Sequence, residues 1–247
     1  MNIKYRPEID GLRAIAVTSV ILYHAQFKIL GYELFRGGFI GVDIFFVISG
    51  YLITLIILKE LKDTGKFSLK YFYERRIRRI IPVLLLVMMA SMPFAKTYLL
   101  PSSFDDYSNS VLYSLIFGSN FYFHFSGQEY GAIDSLLKPF LHTWSLSVEE
   151  QFYIFFPIIL IISFKFFKNY LLLVLISGFF FSLGFAEWGS RTFPSSTFYF
   201  IHTRIWEILT GSILAYYEIS LGKRSENKRL NTILPIVGVT LIILSIV

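Results

Sequence analysis

Eight runs of about twenty mostly apolar residues, separated by short charged or turn-forming segments, decide what this chain is able to fold into. They cover residues 12–30, 38–58, 80–100, 107–125, 146–164, 170–185, 198–217 and 230–247. Inside hydrocarbon no water is present to bond a backbone N–H or C=O, so runs of that length close their hydrogen bonds within a helix. Composition agrees: 55% of the residues are hydrophobic and only 16% charged, where an ordinary soluble domain carries about a quarter. The expected fold is all-α, a polytopic transmembrane helix bundle of seven or eight membrane segments, forming a single membrane-embedded domain over residues 1–247.

The formal net charge is +6, but the basic residues lie between the apolar runs and not on a soluble face, so they are read as topology signals and not as a nucleic-acid surface. Lys59, Lys62, Lys66, Lys70, Arg75, Arg76, Arg78 and Arg79 stand against Glu60, Asp63 and Glu74 in one connection. That places the connection in the cytoplasm, the N-terminus beside it, and Asp105-Asp106 outside. Simple alternation then puts Lys165 and Lys168 on the wrong side. Either 107–125 is re-entrant or the charge rule fails there, and Asn109, Asn120 and His124 within it favour a re-entrant segment. Lys4 and Arg6 precede the first run as in a signal peptide, yet Arg13 interrupts it and no small-residue cleavage site follows, so it is read as a retained first helix. Without cysteine the chain has no disulfide, thiolate ligand or thiol nucleophile. No metal-ligand spacing, phosphate-cradling loop or serine elbow is visible.

Chemistry must then come from ionisable groups that apolar runs rarely tolerate. Asp10, Arg13 and His24 share the first run; eleven residues bring Arg13 and His24 to within about 20° of one face and separate them by about 16 Å along the axis. That sets Arg13 near a membrane face and His24 about halfway across. A neutral imidazole there is a candidate general base; the alternative is a core histidine on a backbone carbonyl with Arg13 snorkelling to the interface. Arg75, Arg76, Arg78 and Arg79, three and four apart, suit bidentate phosphate binding or, equally, anionic lipid headgroups. His142, Glu149 and Glu150 open the fifth run. They orient a substrate hydroxyl, pair with an arginine, or simply complement a helix dipole.

These motifs, taken in order, resemble the acyltransferase 3 family of bacterial integral membrane O-acyltransferases. The likeness runs through Tyr5-Arg-Pro-Glu-Ile-Asp10-Gly-Leu-Arg13, the histidine at 24, Gly37-Gly-Phe-Ile-Gly-Val-Asp43 to Ser49-Gly50, the arginines before Pro82, His142 to Tyr153, and Arg204-Ile-Trp206-Glu207. The resemblance implies transfer of an acyl group, expected to be acetyl, from cytoplasmic acyl-CoA to a hydroxyl of an envelope or exported glycan. His24 would be the catalytic histidine and Arg13 its companion, with Asp10, Glu149, Glu150 and His142 completing the catalytic set. Arg75/Arg78 or Arg76/Arg79 would hold acyl-CoA, a donor substrate and not a resident cofactor. Partners would be acyl-CoA, a glycan or glycolipid acceptor and membrane lipids, in the bacterial inner membrane with a cytoplasmic N-terminus. The family fold has about ten helices, so this chain is expected to lack the last of them; a non-catalytic lipid or sugar carrier and an inactive fragment are the alternatives.

Overall fold

The computed structural model describes residues 5–26, 28–30, 32–127, 138–221 and 227–247, so Lys4 lies outside it. Among the described residues ten α-helices follow one another: α1 Pro7–His24, α2 Ile40–Thr64, α3 Leu69–Tyr98, α4 Pro101–Leu115, α5 Ser119–Ser126, α6 Thr143–Phe166, α7 Leu171–Thr192, α8 Pro194–Tyr199, α9 Ile205–Leu221 and α10 Lys228–Ile246. A two-residue antiparallel ribbon, β1 Lys28–Ile29 with β2 Tyr32–Glu33, follows α1. Among the described residues five helical stretches are long and apolar enough to cross a membrane: Ile40–Thr64, Leu69–Tyr98, Thr143–Phe166, Lys168–Thr192 and Arg229–Ile246. The chain is a multi-pass membrane protein.

Several boundaries differ from the sequence reading for local reasons. Pro7 occupies the first turn of α1, with Glu8 and Asp10 in the same turn to complement the dipole, so the helix starts five residues before Leu12. It ends at His24, which is therefore at the end of a helix and not at its middle. The basic connection 59–79 is almost wholly helical. Gly65, with φ +70°, follows α2 where left-handed backbone ends a helix, and Ser68 Oγ accepts from Tyr71 N at 3.3 Å to start α3. Residues 107–125 form no continuous helix. They divide between α4 and α5, neither of which has the twenty residues a crossing needs, and Phe117 between them has φ +53°.

The chain divides into two compact units. One comprises Met1–Asp63, Phe167–Phe179 and Trp206–Val247. Its core joins α1, α2 and α9 through Ile9, Ile48, Tyr51, Leu55 and Ala215. Lipid is as apolar as leucine, so close backbone approach and not hydrophobic burial associates such helices. Gly50 of α2 meets the Ile208 carbonyl of α9, and Gly211 of α9 meets the Val47 carbonyl of α2, so that any Cβ at either would overlap backbone. Ser212 Oγ donates to Gly50 O across the same contact at 3.3 Å. Gly41 likewise rests against Ala16 and Ser19 of α1.

The other unit comprises Thr64–Phe166 and Phe180–Ile205. In it α5 packs on α4, α6 and α8, and hydrogen bonds from polar side chains tie these helices together. Thr143 Oγ1 donates to Ser119 Oγ at 2.9 Å, with Ser114 Oγ 2.7 Å from Thr143 Oγ1 and Ser147 Oγ 2.8 Å from Ser119 Oγ. Gln151 Nε2 donates to Asn120 Oδ1 and to Phe117 O, both at 2.9 Å, while Asn120 Nδ2 donates to Tyr199 O at 3.2 Å. Gln151 thus satisfies the carbonyl of the left-handed residue between α4 and α5.

Candidate active site

Each unit carries part of the expected site. In the first, α1 carries Asp10, Arg13 and His24 along its length. Arg13 Nη1 donates to Asp10 Oδ1 at 3.2 Å, an (i, i+3) pair on one turn. His24 is exposed, with its ring edge-on to Tyr23 at 5.0 Å. Its Nδ1 lies 2.8 Å from Val20 O. A carbonyl oxygen only accepts, so Nδ1 carries the proton and, in the neutral ring, Nε2 is the basic nitrogen. The start of α1 is anchored: Arg6 and Glu218 both bond the Tyr51 hydroxyl, Arg6 Nη1 lies 3.3 Å from Glu218 Oε2, and Arg6 Nε lies 2.8 Å from Glu8 Oε1.

In the second unit, α3 and α6 sort the four arginines. Arg75, Arg78 and Arg79 are exposed and Arg76 is half-buried. Arg75 lies over the Tyr71 ring at 4.2 Å, and Arg78 Nη2 donates to Glu74 Oε1 at 2.6 Å. Among the described residues Arg79 forms no ion pair. Arg76 instead turns toward α6 and sits 4.2 Å from the centroid of Tyr153, with Phe72 on its other side at 5.7 Å. Tyr153 donates its hydroxyl to Glu149 Oε1 at 2.7 Å. Glu150 is 8% exposed, the charges acting on it are Arg76 and Glu149, and its Oε1 finds no hydrogen-bond partner among the described residues. Pro157 removes the N–H that would bond Tyr153 O, and the Tyr73 hydroxyl of α3 donates to the adjacent Ile154 O at 2.8 Å.

The structure brings Arg76, Tyr153, Glu149 and Glu150 together, and it removes one reading of the two carboxylates. The first turn of α6 holds no acid, and dipole effects fade beyond one turn, so Glu149 and Glu150 do not serve as N-terminal dipole partners. Glu150 instead feels the charge of Arg76, and Glu149 is tied to the Tyr153 hydroxyl. His142 falls in the turn before α6, exposed, and its carbonyl accepts from Ser145 Oγ at 3.2 Å; it shares no helical face with Glu149.

Sequence reasoning used His124 as a sign of a re-entrant segment and overlooked Lys138. His124 is buried, with Nδ1 3.0 Å from Ser195 Oγ and Nε2 3.4 Å from Ser196 Oγ, and burial lowers its pKa from the ordinary value. Lys138 is 8% exposed. The available signal was a single lysine between Leu137 and Pro139, ahead of an aromatic run.

The family model described as an acyltransferase domain matches residues 6–247. The peptidoglycan O-acetyltransferase OatA of Listeria monocytogenes is 39% identical over 219 residues, 86% of this chain and 34% of that protein. A putative O-acetyltransferase of Staphylococcus aureus is 36% identical, covering 87% of this chain and 35% of its own length. The putative peptidoglycan O-acetyltransferase YrhL of Bacillus subtilis is 37% identical over 86% of this chain and 33% of its own length. The chain therefore spans about a third of the length of these relatives. No solved structure matches it.

Proposed function

The chain belongs to the acyltransferase 3 family, and from that premise we propose that it is a membrane O-acyltransferase moving an acetyl group from cytoplasmic acyl-CoA to a hydroxyl of a cell-wall glycan. The observation that carries the reading is the orientation of His24. Its Nδ1 is held on Val20 O, which leaves Nε2 as the nitrogen that takes a proton. Nε2 removes the proton of the acceptor hydroxyl, that oxygen attacks the thioester carbonyl, and the C–S bond breaks. The proton passes to the CoA thiolate, so thioester and alcohol become ester and thiol. In the covalent variant Nε2 itself accepts the acetyl group first, releasing the thiol, and the acceptor oxygen then displaces the imidazole. Arg13, tied to Asp10, supports charge on the same helix.

The arginines divide the remaining work. Arg75, Arg78 and Arg79, exposed on α3, engage the phosphates of the donor; the exposed Arg78–Glu74 pair is worth under about 1 kcal/mol and opens readily. Arg76, packed on Tyr153, puts positive charge near Glu150, and Glu149 or Glu150 orients the acceptor. In this reading the protein sits in the bacterial inner membrane with its N-terminus in the cytoplasm, which the basic residues around α3 support.

The test is acetylation of envelope glycan, read by mass spectrometry in cells that carry His24→Ala at normal membrane abundance. Transfer should fall by about 10²–10⁴-fold, the usual contribution of a positioned base. Unchanged acetylation removes His24 from the reaction. Acetyl trapped on His24 when acceptor is withheld selects the covalent variant, and glycan movement without consumption of acyl-CoA would make the protein a carrier.

A further inference from the structure

At the C-terminal end of α5 a cavity of about 200 Å³ is lined by Phe123, Gly127, Lys138, Leu141, Ser195 and Tyr199. Gly127 and Ser195 are exposed and form its mouth. Lys138 is nine-tenths buried, and its Nζ donates to Ser126 O at 3.1 Å and Ser126 Oγ at 2.9 Å. An ammonium has three protons, so one remains uncommitted, and no carboxylate pairs with Lys138 among the described residues. A buried cation held only by neutral groups is a standing demand for a counter-ion.

We propose that this cavity binds a compact anionic group, a carboxylate or a phosphate, carried by the glycan acceptor. Lys138 supplies the charge, and the Ser195 and Tyr199 hydroxyls supply further donors at the mouth and wall. Burial raises the Tyr199 pKa, so its phenol keeps its proton and can donate. His124 Nδ1 lies 3.0 Å from Ser195 Oγ, and in the tautomer with the proton on Nδ1 it donates to that oxygen and leaves the Ser195 hydroxyl proton for the anion. Phe123 and Tyr199 offer ring faces on which an apolar sugar face can lie. The bonds to Ser126 also cap α5, where a cation suits the helix end; a cap alone requires neither a cavity nor the third proton.

That the anion belongs to the acceptor rests on the acyltransferase reading, whereas the anion site does not. Binding is therefore measured separately from catalysis, on the full chain in lipid nanodiscs, by calorimetric titration with N-acetylmuramate, inorganic phosphate and the neutral N-acetylglucosamine. N-acetylmuramate should bind at least tenfold more tightly than N-acetylglucosamine, and Lys138→Met should remove that difference. Lys138→Arg should keep most of it, and Ser195→Ala should weaken it several-fold. Lys138-dependent binding of phosphate alone keeps the site and assigns it to a phosphorylated group. Equal affinity of the anions for wild type and a folded Lys138→Met, or for Ser195→Ala and Lys138→Arg alike where Met does not fold, overturns the proposal. His24→Ala should leave all these affinities unchanged, so a chain that transfers no acetyl group still reports on the site.

Discussion

Where α2 meets α9 the backbones touch through Gly50 and Gly211, whereas α4, α5 and α6 are joined side chain to side chain through Ser114, Thr143, Ser119, Ser147, Asn120 and Gln151. Both devices answer the same difficulty, that lipid gives helices no hydrophobic reason to associate. The first works by leaving atoms out and fails when any are added. The second works by polar atoms being present, so it tolerates modest changes of size and fails when a partner is lost. The proposed reaction groups follow the same division: α1 brings a histidine whose Nδ1 is held on its own helix's backbone, and α3 with α6 bring carboxylates embedded among polar and aromatic neighbours.

The comparison breaks most visibly at the glycines. Gly50→Leu should lose about 3 kcal/mol or more, as overpacking does when backbone is the obstacle, and should abolish accumulation in the membrane; Gly50→Ala should already lower the midpoint of thermal unfolding in detergent. If Gly50→Leu unfolds like wild type, α2 and α9 do not meet there. Asn120→Leu, similar in size, should destabilise by about 1–2 kcal/mol, because Gln151 loses an acceptor and Tyr199 O a donor. Ser147→Ala removes one hydroxyl beside Ser119 and should fall near 0.5 kcal/mol.

The smallest effect concerns protons. Burial holds His124 below its ordinary pKa. Below about pH 6.5 the unfolded chain binds a proton that the folded ring refuses, so stability should decline as pH falls and show no His124 contribution above that range. His124→Phe should flatten the decline. An unaltered pH profile of unfolding in that variant would remove the ring from the account.

Apolar run length made α2, α3, α6, α7 and α10 legible in the sequence, because hydrocarbon imposes one solution on such runs. The same measure failed where a helix leaves the hydrocarbon. Leu69 to Arg79 is polar enough to pass for a loop, yet residues such as Lys, Arg, Glu and Leu favour helix, and α3 runs unbroken from Leu69 to Tyr98. The division of 107–125 had a cue in Phe117-Gly118-Ser119, but only Gln151 of α6, far off in sequence, explains how that turn is held. Spacing put Arg13 and His24 on one helix. It could not separate Arg76 from its neighbours, since what singles Arg76 out is the ring of Tyr153, on another helix.

The length of α3 has an electrolyte consequence. Thirty residues extend about 45 Å, against about 30 Å of hydrocarbon, so the end bearing Arg75, Arg78 and Arg79 stands among headgroups and water. Added salt should therefore weaken whatever those three guanidinium groups attract, over a screening distance of about 8 Å at physiological ionic strength. Arg76, set against the rings of Phe72 and Tyr153, should keep its place in the same buffers.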